Sequence, residues 1–137
     1  MEKTTLSLGS NIGDREHYLQ QARALIGVRV GRIERASSVR ETDAWGFDAE
    51  PFLNQVIVVN TNLAPFSLLE TLQTIEQELG RTQKTSYENN QPIYHDRTID
   101  IDILYYGDQQ ISTETLTIPH LRLAERTFFK EMLTEIQ

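Results

Sequence analysis

Two aspartates separated by a single isoleucine, Asp100 and Asp102, lie within the string Arg97-Thr98-Ile99-Asp100-Ile101-Asp102-Ile103-Leu104. On a strand, alternate side chains share a face. Ile99, Ile101 and Ile103 then point into a core, and the two carboxylates project together from the opposite face. Their Cα atoms would stand about 6.6 Å apart at a strand's rise per residue. Carboxylates at roughly 6 Å repel by about 3 kcal/mol at an effective dielectric near 20. Arg97 has the parity of the isoleucines and cannot relieve that repulsion from the same strand face. A divalent cation would, and magnesium commonly takes one or two carboxylates together with phosphate oxygens. Taken alone, Asp-x-Asp more often lines a solvated sheet face, so the pair needs support from its surroundings.

That support is a set of cations at segment edges: Arg81 directly after Gly80, Arg97 before the aspartates, and Arg126 near the end of the sequence. Each by itself reads as a solvated surface arginine. Gly9-Ser10-Asn11-Ile12-Gly13 is too short for a phosphate-binding loop of the Walker type and lacks its lysine. A nucleotide would therefore be held by side chains and metal. The absence of cysteine excludes disulfides, thiolate nucleophiles and cysteine-based zinc sites. His17, His95 and His120 are far apart in the sequence, which argues against a histidine-rich metal site. The net charge of −7 speaks against a broad nucleic-acid footprint. It also means that a polyanionic substrate must be held locally, against the overall field. No run approaches the ~20 apolar residues of a membrane helix, and Met-Glu-Lys-Thr-Thr lacks the parts of a signal peptide. The expectation is a cytoplasmic monomer with small-molecule partners, no nucleic acid and no membrane.

The elements that must position these groups follow from periodicity. With 137 residues and no repeat or linker, the chain is expected to form one domain over 1–137. Residues 4–8 read as a strand, and Asp14 as the cap of a helix with Tyr18, Leu19, Ala22, Leu25 and Ile26 on one stripe. A second strand is expected within 33–42 and a loop over 42–51. Residues 52–61 (Phe-Leu-Asn-Gln-Val-Ile-Val-Val-Asn-Thr) form a strand apolar on both faces in its second half, hence central. Pro65 and Gly80 bracket a helix. Residues 81–97 show no clear periodicity and read as a long loop, 98–106 as a strand, and 119–136 as mostly helical. The order β-α-β-β-α-β plus a C-terminal helical segment is that of a ferredoxin-like α+β sandwich, an antiparallel sheet with helices on one face.

Five blocks, in order, resemble one family. Leu8-Gly9-Ser10-Asn11-Ile12-Gly13-Asp14, Phe52-Leu53-Asn54, Ile75-Glu76 with Gly80-Arg81, the string 97–104, and Ile118-Pro119-His120 with Arg126-Thr127-Phe128 are similar to motifs of 6-hydroxymethyl-7,8-dihydropterin pyrophosphokinases. The resemblance implies an enzyme of folate biosynthesis that moves diphosphate from ATP to 6-hydroxymethyl-7,8-dihydropterin and releases AMP. It implies that Asp100 and Asp102 hold two Mg²⁺ ions, and that Arg81, Arg97, His120 and Arg126 neutralise or position the phosphates of ATP. Arg81 and Arg97 would join the two aspartates as catalytic residues, and Gln73 and Glu76 would line the nucleotide or metal region. Phe52 and Phe128 would sandwich the pterin ring, with Thr42 and Asn54 completing its recognition. Asn54 fits this independently, since an amide inside an apolar strand must be hydrogen-bonded. The chain departs from the family's usual pattern in two places. Lys84, Tyr87, Tyr94 and His95 stand where a Trp and a second cation are common, and Asp43-Ala44-Trp45-Gly46 follows Thr42.

Two other classes compete with the enzyme. A non-catalytic ferredoxin-like nucleotide-sensing module would have no need of paired metal carboxylates. An RNA-binding sheet would need basic and aromatic strand positions that an acidic chain of this kind lacks.

Overall fold

Gly13 turns the chain at a backbone angle of φ +70, where a Cβ would stand 3.1 Å from the Tyr18 ring. This turn joins strand β1 (Glu2–Ser10) to helix α1 (Arg15–Arg29), and the Asp14 carboxylate accepts the His17 N–H at 3.1 Å to cap the helix. The structure, a computed structural model, describes residues 1–42, 51–80, 85–88, 91–94, 99–120, 123 and 128–136.

Four further strands complete the main sheet: β2 (Gly31–Ala36), β3 (Arg40–Thr42), β4 (Phe52–Thr61) and, later, β7 (Asp100–Tyr106). Their order is β2-β4-β1-β7, with β3 also paired to β4 and every pairing antiparallel. This is the expected ferredoxin-like α+β arrangement. The single strand expected within 33–42 is two. At the break, Ser37 keeps the ladder going with its side chain as well as its backbone: its N–H donates to Val56 O at 2.8 Å, and its Oγ accepts Val56 N–H at 3.0 Å. Helix α2 (Pro65–Glu78) starts at the proline, whose missing N–H costs nothing in a first turn. It ends at Glu78 with Leu79 as its C-cap, and Gly80 follows with a φ of +103 that suits a residue without a side chain.

Strand β4 is central, as expected, and both its faces are covered. Leu19, Ala22 and Ile26 of α1 and Leu68, Leu72 and Ile75 of α2 bury against Leu6, Leu8, Ile57, Val59, Ile99, Ile101 and Ile103. On the other face Val56, Val58 and Leu104 pack against Phe129, Met132 and Ile136. These last residues belong to helix α3 (Phe128–Glu135) and the residue after it. Helices thus lie on both faces, not one. Within 119–136, the described α-helix is Phe128–Glu135, while Pro119 and His120 lie outside a helix. Alternation along β7 is interrupted once. Thr5 faces Tyr105 while Leu6 faces Ile103, so Leu104 is an extra residue, and Tyr106 returns to the core of Ile103.

The stretch 81–97 is not a plain loop. It contains the hairpin β5 (Thr85–Glu88) and β6 (Gln91–Tyr94), with Thr85 opposite Tyr94. Thr85, Tyr87, Ile93 and Tyr94 are residue types that favour strands. A second small hairpin, β8 (Ile111–Ser112) with β9 (Thr117–Ile118), follows β7 and leads into a cis Ile118-Pro119 bond. No helix among the described residues is long and apolar enough to cross a membrane.

Candidate active site

Strand β7 forms one edge of the sheet, and its parity is as the sequence requires. Ile99, Ile101 and Ile103 are buried beneath α1 and α2, while Asp100 and Asp102 are half-buried with opposite parity. The edge is fastened by Glu76, a buried carboxylate of α2 whose Oε2 accepts the Ile101 N–H at 2.8 Å. An unpaired amide there would otherwise face the cleft edge, and a carboxylate acceptor is roughly twice as strong as a neutral one. Glu76 therefore acts on the two aspartates through the backbone between them.

A cleft of about 550 Å³ runs along this edge. Gln73 and Glu76 of α2, Asp102 of β7, and His120 line it. His120 is set in place by its own N–H, which donates to Leu104 O at 3.1 Å, and its Nε2 stands 3.7 Å from Asp102 Oδ1. The far wall comes from Leu69 and from residues 114–117 at the β8–β9 hairpin. Sequence reasoning missed that wall, because Glu114, Thr115 and Thr117 carry no spacing signature. Their only mark is a polar run ahead of Ile118-Pro119-His120.

The second group gathers at the β3–β4 end. Thr42 pairs with Phe52 and Arg40 with Asn54 across the ladder. The Asn54 amide, buried in the sheet, donates from Nδ2 to Thr42 Oγ1 at 2.6 Å, and more weakly to Arg40 O and Phe52 O at 3.4 Å. It is hydrogen-bonded, as an amide in an apolar strand must be, and its strongest bond is to another residue of the same predicted subsite.

The two groups meet in one cross-strand row. Gly9 of β1 is paired with Asn54 on one side and Asp100 on the other. Two ladder steps separate Asp100 from Asn54, about 10 Å between Cα atoms. A Cβ on Gly9 would stand 3.3 Å from the Phe52 ring and 3.4 Å from Asn54 Oδ1. Glycine thus leaves a shallow floor between carboxylate and amide, and this role was not foreseen from the sequence.

Of the remaining expected residues, Arg81, Arg97 and Arg126 lie outside the described residues, as do Trp45, Lys84 and His95. Phe128 is the first residue of α3. Among the described residues, no cluster of three or more His, Asp or Glu is arranged to hold a metal ion. Two neighbouring carboxylates with no third protein ligand still fit magnesium, which dehydrates reluctantly and takes its other oxygens from phosphate and water.

Comparison with known proteins gives one consistent answer. The family described as 7,8-dihydro-6-hydroxymethylpterin-pyrophosphokinase matches residues 5–137. A 2-amino-4-hydroxy-6-hydroxymethyldihydropteridine pyrophosphokinase of Porphyromonas gingivalis is 42% identical over 133 residues, covering 96% of this chain and 88% of that protein. The protein of the same name from Bacillus subtilis strain 168 is 44% identical over 133 residues, covering 96% of this chain and 75% of its own. In fold, the chain is similar to the crystal structure of wild-type Plasmodium falciparum HPPK-DHPS with pterin and p-hydroxybenzoate. That likeness has a TM-score of 0.73 at 16% identity, covering 98% of this chain and 38% of the other.

Proposed function

The chain belongs to the 7,8-dihydro-6-hydroxymethylpterin-pyrophosphokinase family, and on that premise we propose how its residues divide the work. The activity is transfer of diphosphate from ATP to 6-hydroxymethyl-7,8-dihydropterin, leaving AMP, in folate biosynthesis. Membership of an enzyme family sets aside the nucleotide-sensing alternative.

ATP occupies the cleft along β7, against Gln73, Glu76 and His120, and the pterin occupies the corner of Thr42, Phe52 and Asn54. The observation that carries this division is the row Asp100–Gly9–Asn54, which puts the acidic pair and the recognition amide on one continuous floor. Phe52 and Phe128 would sandwich the pterin, and offset stacking suits a flat ring.

Asp100 and Asp102 would hold two magnesium ions, which would supply charge neutralisation and a template for the phosphate oxygens. The protein's own part is placement. The hydroxymethyl oxygen is brought in line with the β-phosphorus. A new oxygen–phosphorus bond forms there, the bond from the β-phosphorus to the bridging oxygen breaks, AMP leaves with that oxygen, and the hydroxyl proton goes to water. Transfers of this type depend on alignment and charge far more than on covalent help from the protein. Arg81, Arg97 and Arg126 complete the neutralisation of a polyanion on a chain of net charge −7, and His120 orients a phosphate oxygen beside Asp102. The working form is a cytoplasmic monomer of one domain.

Incubation with ATP, Mg²⁺ and the reduced pterin tests this reading. AMP should form in step with pterin diphosphate and only when pterin is present. Stoichiometric ADP would overturn it.

A further inference from the structure

The C-terminal helix is packed by a short apolar stripe and aligned by charge. Phe129, Met132 and Ile136 bury against Val56, Val58 and Leu104. Apolar contact of this kind is non-directional, so Phe129, Met132 and Ile136, with Leu133 partly buried beside them, do not by themselves fix the helix along its own axis. A separate stripe of α3 supplies the direction. Glu131 and Glu135 both reach Arg40: Glu131 pairs with Nη1, and Glu135 Oε2 lies 3.3 Å from Nη2. Ser38 adds its N–H and its hydroxyl, each donating to the Glu135 carboxylate at 3.1 Å.

The spacings match. Four residues of helix advance about 6 Å, and two residues of extended chain about 6.6 Å. Passing from Ser38 to Arg40 therefore keeps pace with passing from Glu135 back to Glu131. One further step reaches Thr42 on β3 and the opening turn of α3, where Phe128 stands three residues before Glu131 and seven before Glu135.

We propose that Arg40, with Ser38, is a positioning residue for the pterin half of the site: its ion pairs to Glu131 and Glu135 set the register of α3 on β3 and bring the Phe128 turn to Thr42. This rests on the reading of Phe128 as one wall of the pterin site. The side chain of Arg40 is what matters, since the weak bond from Asn54 to Arg40 O involves only the main chain. Half-exposed ion pairs are individually modest, so the effect is a graded loss of pterin affinity, not an abolished reaction.

The test compares Arg40→Ala, the double variant Glu131→Ala/Glu135→Ala, and all three changes together. Calorimetry gives pterin affinity, in the presence of Mg²⁺ and a non-hydrolysable ATP analogue, and analogue affinity by itself. Amide exchange followed by mass spectrometry reports on α3. Arg40→Ala should weaken pterin binding about three- to fivefold, leave the nucleotide within about twofold, and speed exchange across α3. The acidic double variant should lose at least as much, since it also removes the Ser38 bonds, and the triple variant should add nothing to it. Arg40→Glu combined with Glu131→Arg and Glu135→Arg should restore pterin binding. Unchanged pterin affinity, equal loss of both ligands, additive losses or unchanged α3 exchange would each overturn the proposal. Phe128→Ala separates the two readings. If it leaves pterin affinity intact, the pterin assignment of Phe128 fails, and α3 exchange still decides the register. If it weakens pterin while Arg40→Ala does not, only the positioning role fails.

Discussion

The backbone N–H of Ile101, the residue between the two aspartates, donates to Oε2 of Glu76 at 2.8 Å. A buried carboxylate on α2 thus holds the strand that displays the acidic pair. Glu76→Leu removes the acceptor and leaves a buried amide unpaired, which should cost about 1–3 kcal/mol. Glu76→Gln keeps an acceptor oxygen and should cost less. Both should reduce activity, with Leu the worse, because the aspartates shift with the strand. Denaturant unfolding alongside kcat/KM checks this, and a Leu variant as stable and active as the parent would refute it.

Asp100→Ala and Asp102→Ala should each lower kcat by about two orders of magnitude or more, the usual scale for losing one group that stabilises transferring charge. Neither should lower the melting temperature of the ligand-free protein, because each change also removes like-charge repulsion. Melting with and without Mg²⁺ and an ATP analogue separates the two effects. A large drop in the ligand-free protein would assign these residues a structural role.

Asn54→Leu keeps the bulk of the side chain but strands the Thr42 hydroxyl, which now accepts from Asn54 Nδ2 at 2.6 Å. A site that hydrogen-bonds its ligand discriminates strongly once a polar group is left unpaired. Pterin affinity should fall at least about a hundredfold, with ATP affinity little changed. Equal losses in calorimetry would mean the sheet itself was damaged.

Bonds from the Ser38 hydroxyl and N–H, with Arg40 nearby, hold the Glu135 carboxyl below its usual range. The folded form therefore binds the proton less readily than the unfolded chain does. Its stabilising effect is full above the unfolded value of about 4.3 and fades as pH falls through the lower folded value. The melting-temperature gap between the parent and Glu135→Gln should be open at neutral pH, hold down to about pH 5, and close in stronger acid. A gap that stayed constant down to pH 3 would contradict this.

How much was legible in the sequence depended on whether a signal was local. Strand β4 was readable to its ends, Phe52–Thr61, because it is apolar on both faces and bounded by Pro51 and Asn62. The outward parity of Asp100 and Asp102 was readable from their alternation with the isoleucines, and the hydrogen-bonded state of Asn54 because an amide stands out among Val and Ile. The break between β2 and β3 was not, since it depends on the Ser37 hydroxyl joining a ladder with Val56, nineteen positions away. Nor was the site role of Gly9, which exists only through the pairing of β1 with two other strands. The β8–β9 wall escaped notice because two-residue strands leave no periodicity to read.

The extra residue at Leu104 gives β7 two phases. Before it, odd positions enter the helix-covered core and even positions carry Asp100 and Asp102; after it, Tyr106 takes the inward place. The end that anchors the strand and the end that displays the carboxylates are thus half a pleat out of step, and one residue absorbs the difference. Deleting Leu104 would leave every other assignment intact: Ile103 in, Tyr105 out, Tyr106 in, with both aspartates still facing outward. What would be lost is Leu104 itself, the side chain that β7 gives to the apolar layer of Val56, Val58, Phe129 and Met132 on the opposite face. The irregularity thus lets one strand serve the apolar layers on both faces of the sheet without turning its carboxylates inward.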